Sequence, residues 1–301
     1  MRAGRFEEAW TIGDAVQRTR DPAARDDPSL PYHLRWVWDG RPFEGRDVLV
    51  RCYHGLGDTL QFARYLPRLA DRAATVTVEA PPTLIELLAT LPMVARLRPF
   101  DPARPLPPAE CDIEITELAH TLRVGPSGRP SYLHASPAPL PSGTIGICHA
   151  AGPWDPDRSL PADLLADICI DHDVVTLVAE PSKLPVINPE GCPFDMAATA
   201  ALVAGCGLVI TVDTMIAHLA GALGRPTWLM LKSDPDWRWP AEGTTTPWYP
   251  SMRVYHQPRA GDWATVVDAA RRDLDRFLPA AAQSEASHDE SPHPLGADLL
   301  G

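Results

Sequence analysis

No C-x-x-C pair occurs anywhere in the 301 residues. The six cysteines (Cys52, Cys111, Cys148, Cys169, Cys192 and Cys206) are scattered, which argues against a zinc ribbon or a disulfide framework and for reduced thiols in the cytoplasm. The ten histidines show no zinc-ligand spacing either. The opening MRAGRFEEAW lacks the apolar core of a signal peptide, and no apolar run approaches the roughly 20 residues of a membrane span. The expectation is therefore no integral membrane segment. An excess of positive charge is also missing. A net charge of −12 argues against general nucleic-acid or membrane-surface binding, although a local basic pocket can still hold an anion.

What is present suits a globular enzyme-sized chain. Hydrophobic residues make up 45%, enough for a core, and the length predicts two domains at roughly 100–200 residues each. Residues 1–46 form an N-terminal extension with three tryptophans (Trp10, Trp36, Trp38) and a helix start at Gly4–Trp10. Asp47–Tyr53 reads as a strand, Gly55-Leu56-Gly57-Asp58 as a tight turn, and Thr59–Ala70 as a helix shortened or kinked by Pro67. Thr75–Glu79 alternates as a second strand, 82–91 is a helix opened by prolines, and Val94–Pro99 and Cys111–Leu118 are weaker strands. Residues 125–142, dense in Pro and Gly, read as a linker.

A second series follows, with strands at Thr144–His149, Val174–Ala179, Leu208–Val212, Thr227–Leu231 and Met252–His256. Helices are predicted at Leu160–Ile170, Met196–Cys206, from Thr214, and at Asp262–Leu278. Alternation of this kind implies parallel sheets. The predicted fold class is α/β, with two Rossmann-like lobes, 47–140 and 141–278, whose parallel sheets face one another across a cleft. The Ala/Ser/His/Pro-rich tail 279–301 is predicted to be disordered.

Two loops carry candidate chemistry. In LVITVDTMIAHLAGALG (208–224) a short β-branched run delivers a helix start at its carboxyl end. First-turn amides are free and the dipole is positive there, so such a junction suits an anion. Thr214 and His218 are four apart and share a helix face, which points to a phosphate-bearing ligand such as a nucleotide or nucleotide sugar. Two plainer roles stay open: Asp213 as an N-cap, and His218 as a core histidine satisfied by a backbone carbonyl.

In the other loop, His54–Thr59, Gly55 and Gly57 permit a sharp turn and close backbone approach to a ligand. The third glycine of a dinucleotide fingerprint is Leu60 here, yet Glu79 at the next strand end keeps an NAD-dependent oxidoreductase open. Asp58 would face the cleft as a general base or serve only as an N-cap.

Taken together, GLGDTLQFARYLPRLA and VDTMIAHLAGALGRPTWLML resemble the ADP-heptose:lipopolysaccharide heptosyltransferase family and its close relatives, bacterial proteins with a tetratricopeptide-repeat front. GRFEEAW at 4–10 resembles the last helix of such an array, and the likeness covers roughly 40–278. The resemblance implies a GT-B fold with an acceptor lobe and a donor-nucleotide lobe. It further implies an inverting, metal-independent glycosyltransferase with no cofactor beyond its nucleotide-sugar substrate. On that likeness Asp58 is the catalytic base. Asp213, Thr214 and His218 hold the donor diphosphate, and Met215 crowds a position that is usually small. Arg158 is the one cation in the segment after the first strand of the second lobe, and Glu180 meets the donor ribose. The terminal helix crosses back to the first lobe. The acceptor is a glycan, a lipid-linked group or a protein. The rival is a non-catalytic GT-B-like binding or scaffold module.

Three D-x-D triplets (155–157, 171–173 and 234–236) are weak metal signals in so acidic a chain, and no metal is expected. The aromatic run Asp236–Pro240 and Pro247–Pro250 is expected to bury against the neighbouring lobe, with Arg238 in cation–π contact or meeting a phosphate.

Overall fold

A helix that the sequence only hinted at comes first. In the computed structural model, which describes residues 4–92, 96–126, 130–189, 192 and 194–289, α1 spans Phe6–Thr19. Glu7 and Glu8 occupy its first turn, where the helix dipole favours negative charge, and Trp10 is buried. Asp14 bonds His120 at 2.9 Å and Arg123 at 2.5 Å, while Arg20 reaches Glu117 at 3.4 Å. The extension is thereby fastened to the first lobe.

That lobe runs β1 (Asp47–Arg51), α2 (Leu56–Phe62), α3 (Leu66–Ala70), β2 (Thr75–Ala80), α4 (Ile85–Leu88), β3 (Arg96–Pro99), β4 (Cys111–Glu114) and α5 (Leu118–Leu122). Its four strands are parallel in the order β3-β2-β1-β4, with Val48 opposite both Val76 and Cys111. Between α2 and α3 the chain tightens into a 3-10 turn at Ala63–Tyr65, just ahead of Pro67, whose ring would clash with the carbonyl four residues back in a continuous helix. The expected strand at Val94–Pro99 begins at Arg96, and residues 93–95 lie outside the described residues.

The second lobe runs β5 (Ile145–Cys148), α6 (Ala166–Asp171), β6 (Val174–Thr176), α7 (Met196–Gly205), β7 (Leu208–Val212), α8 (Met215–Ala222), β8 (Thr227–Leu231), β9 (Met252–His256) and α9 (Trp263–Asp289). Its five strands are parallel in the order β6-β5-β7-β8-β9. Every residue of β5, β7 and β8 is buried, as strands covered on both faces require. The stretch expected to be a linker is strapped down. The Tyr132 and Leu133 amides donate to the Ala222 carbonyl at 2.9 and 3.1 Å, and Ala138 N donates to the Ala201 carbonyl at 2.8 Å.

The larger apolar core does not respect the lobe boundary. It joins Leu60, Phe62 and Tyr65 of the first lobe to Ile216, Leu219, Trp239, Trp248 and Tyr249 of the second. A smaller core lies on the other face of the second sheet, where Val266, Ala270 and Leu274 of α9 pack with Trp228 and Tyr255. The apolar stripe of the last helix packs within the second lobe. The helix also runs past Pro279 to Asp289, through an alanine-rich stretch of high helix propensity, so 279–289 is helical and only 290–301 falls outside the described residues. Among the described residues no helix is long and apolar enough to cross a membrane.

The joint between extension and lobe titrates. Burial pushes the Glu117 carboxyl up to about 7, against the Trp38 and Glu114 amides that both donate to its Oε2 at 3.0 and 3.1 Å. The folded state therefore keeps a proton that the unfolded chain releases near 4.5. Its stabilising contribution is full below that pH and is lost as pH rises through about 7. With 18% of the side chain still solvated, the effect is discounted to roughly 2 kcal/mol. Glu117→Gln keeps an acceptor for both amides and cannot ionise. Its stability relative to wild type should improve by roughly that amount between pH 5 and pH 8, measured by urea unfolding.

Candidate active site

The carboxyl ends of β1, β5 and β7 open onto one cleft of about 1070 Å³, where open α/β sheets hold their ligands. The start of α2 forms one wall and the start of α8 the other, and the two helices pack directly against each other.

The first wall departs from expectation. Gly55 to Asp58 is not a tight turn: α2 begins at Leu56, with Gly55 as N-cap at φ −63°, ψ 165°, a conformation open to any residue. Gly57 is demanded by packing. A Cβ there would lie 3.0 Å from His218 Cδ2 and 3.4 Å from Met215 Cα, so the close approach is to α8. Asp58 is not the cap. It sits in the first helical turn and lines the cleft, where its carboxylate pairs with Arg238 of the opposite lobe. The Arg238 guanidinium also donates to Gln61 Oε1 at 2.8 Å and to Asp236 Oδ1 at 2.9 Å, and lies 4.8 Å from the centre of the Trp237 ring. Gln61 leaves its buried Nε2 without a partner.

On the second wall Thr214, not Asp213, caps α8, its hydroxyl accepting from Ile216 N at 3.3 Å. Cys148 lies 3.6 Å from that hydroxyl, its thiol pushed up to about 11 by burial. Asp213 is buried, which pushes its carboxyl up, and its backbone carbonyl accepts from Arg158 Nη1 at 2.7 Å. Arg158 is buried too, with Trp154 stacked 3.8 Å from its guanidinium. Met215 is the first residue of α8 and lines the cleft, while Glu180 is exposed on the rim.

His218 lines the cleft and is held by a hydroxyl where the sequence suggested a backbone carbonyl. Its Nδ1 lies 3.0 Å from the Tyr249 hydroxyl and its ring stacks on Trp239 at 5.4 Å. Burial, then the charges of Arg238, Arg64 and Arg158, hold its pKa well below the usual histidine range, so the imidazole is neutral. It adds shape and polarity to the cleft, not charge.

The aromatic loop after β8 is buried as expected at Trp239, Trp248 and Tyr249. Sequence reasoning missed what anchors it. Arg64 is buried and donates to the Trp248 carbonyl at 2.6 Å, the Gln61 carbonyl at 2.8 Å and the Tyr132 hydroxyl at 3.2 Å. Of the D-x-D acids, Asp155 is taken up by Lys232 at 2.8 Å and Asp236 by Arg238. Among the described residues no three His, Cys, Asp or Glu gather as a metal-ligand group. Glu79 is corrected as well. It is buried, pairing with Arg51 at 2.9 Å and accepting from Leu106 N at 2.7 Å, and so is not free to meet the adenosine ribose of NAD.

Residues 192–252, from just ahead of α7 to the start of β9, match glycosyltransferase family 9 (heptosyltransferase). The fold resembles the glycosyl transferase family 9 structure from Veillonella parvula DSM 2008, at a TM-score of 0.57 and 12% identity, over 80% of this chain and 99% of that one. It also resembles the E. coli heptosyltransferase WaaC with ADP-2-deoxy-2-fluoro heptose, at a TM-score of 0.52 and 14% identity, over 76% and 99%. Protein FlbA of Caulobacter vibrioides is 23% identical over 325 residues, which cover 91% of this chain and 53% of FlbA. The chain spans about half the length of that curated relative. The likeness drawn from the two loops is borne out: a segment of the second lobe matches the heptosyltransferase family model, and the two lobes have the GT-B fold of those solved transferases.

The two glycines should respond in opposite senses. Gly55→Ser adds a capping hydroxyl at a permitted backbone conformation and should leave stability unchanged or raise it by about 0.5 kcal/mol. Gly57→Ala should lower it by about 1–3 kcal/mol through overpacking against α8, despite alanine's better helix propensity. Paired thermal melts compare them.

Proposed function

We propose that the protein is a cytoplasmic glycosyltransferase that moves a sugar from a nucleoside-diphosphate donor to an acceptor hydroxyl, inverting the anomeric centre without a metal. The observation that carries this is the convergence of a carboxylate, Asp58, and an anion-suited helix start, Thr214–Ile216, on one cleft. Asp58 takes the proton of the acceptor hydroxyl. The oxygen attacks the anomeric carbon, and the bond to the diphosphate breaks with its electron pair leaving on the phosphate oxygen. The α8 amides, the Thr214 hydroxyl and Arg158 meet that charge, and His218 contributes a neutral ring beside them. Exposed Trp154 and Phe194 at the cleft supply faces for a base or sugar, and Glu180 at the rim suits a ribose. The acceptor is a glycan, a lipid-linked group or a protein, entering on the first-lobe side.

Two observations favour a second function, a non-catalytic binding module: Arg238 already engages Asp58, and Met215 stands at the helix start. Turnover separates the two.

Melting with ADP, UDP, GDP, CMP or NAD in large excess should give a shift with one nucleoside diphosphate and none with NAD. A ligand at about 100 times its Kd adds about 2.7 kcal/mol. With the matching nucleotide sugar and an acceptor, Asp58→Asn should lower kcat by about 10²–10⁴ without loss of nucleotide affinity. Unchanged turnover would remove Asp58 from the mechanism, and no nucleotide shift at all would sink the transferase.

A further inference from the structure

Arg238 occupies an unusual position between the two halves of the cleft. Its guanidinium spans Asp58 and Gln61 of the first lobe and Asp236 of its own loop. Its backbone is pinned on both sides: Arg238 N donates to Asp236 Oδ1 at 3.0 Å, and its carbonyl accepts from Trp248 Nε1 at 2.7 Å. The Trp248 carbonyl is in turn held by Arg64. The loop backbone is therefore fixed, so that any change of partner at this position falls to the side chain. Both Arg238 and Asp58 line the same cleft as the start of α8. The guanidinium is close enough to α8 for its charge to act on His218, after burial, and on Asp213.

Two demands on this cation conflict. A carboxylate paired with a guanidinium has one face occupied and is a poorer proton acceptor. A diphosphate entering beside α8 is the stronger, multiply charged partner for the same planar donor fork. We propose that Arg238 is a positioning residue that caps Asp58 before the donor binds and passes to the diphosphate on donor binding, so that Asp58 becomes a free base only in the donor complex. This rests on the glycosyl-transfer function proposed above. No bond is made or broken in the handover, which exchanges one ion pair for another. In the transfer that follows, the acceptor proton goes to Asp58. The new C–O bond forms as the C–O bond to the diphosphate breaks, and Arg238 meets the charge that leaves. Binding is consequently ordered, donor before acceptor.

The test is a double-mutant cycle on inorganic pyrophosphate binding by calorimetry, using the full chain. Asp58→Asn removes the competitor and should tighten pyrophosphate about tenfold, whereas Arg238→Gln should weaken it about tenfold. In the Arg238→Gln background the Asp58→Asn gain should fall to about twofold or less, since no guanidinium is left to release. Arg238→Lys retains the charge and should restore most of the gain, which a merely structural role for residue 238 would not do. A gain of equal size with and without Arg238 reduces the effect to plain charge repulsion and overturns the handover while leaving the transferase intact. No gain from Asp58→Asn overturns it equally. Failure of every variant and of wild type to bind pyrophosphate or any nucleoside diphosphate overturns the anion site itself, and both proposals with it.

Discussion

One buried cation holds the cleft together. Arg64 lies in the interior with carbonyls and a hydroxyl as its hydrogen-bond partners, and its charge is further met by the faces of Tyr249, Tyr132 and Trp248 at 4.5, 4.9 and 5.4 Å. A guanidinium is more weakly hydrated than an ammonium and tolerates such a setting, and five N–H groups in a rigid fork reach several acceptors at once. Those acceptors come from α2, from the 130–142 strap and from the loop after β8. Tyr249 then fixes His218, and Trp248 fixes the backbone of Arg238. The electrostatic arrangement of the cleft thus depends on a residue that does not line it.

A second buried arginine does comparable work inside the first lobe. Arg51 bonds Asp112 at 2.8 Å and Glu79 at 2.9 Å, beneath the ends of β1, β2 and β4. Its two carboxylates outnumber it, and backbone amides of Leu106 and Ala109 complete their hydrogen bonding at 2.7 Å each. Breaking such a network strands a buried charge, which is why it rigidifies the sheet that carries Asp58.

Much of the fold was legible because it depends on local pattern. β-branched runs and their turn residues located the strands, and two sets of alternating elements implied two parallel sheets. The errors have a common physical origin. A glycine needed for its backbone freedom and a glycine needed for its missing Cβ look alike in sequence, so Gly57 passed for a turn residue. Asp213 and Thr214 are both good caps, and only the chain path decides that Thr214 caps. Asp58 looked free because its partner is 180 residues away. Glu79 looked available because nothing local announces Arg51. The alanine-rich segment after Leu278 reads by composition as a tail, yet alanine is also the strongest helix former.

The loop after β8 belongs to the second lobe by chain order and to the first by contact. Gene fragments that encode separable domains can be exchanged at a linker. Here a crossover within 130–142 would inherit Arg64 from one parent and Trp248 and Tyr249 from the other. Each half would also carry an unfinished share of one core. The two lobes are in that sense a single unit of inheritance, and change at the cleft must be matched across the whole length of the chain.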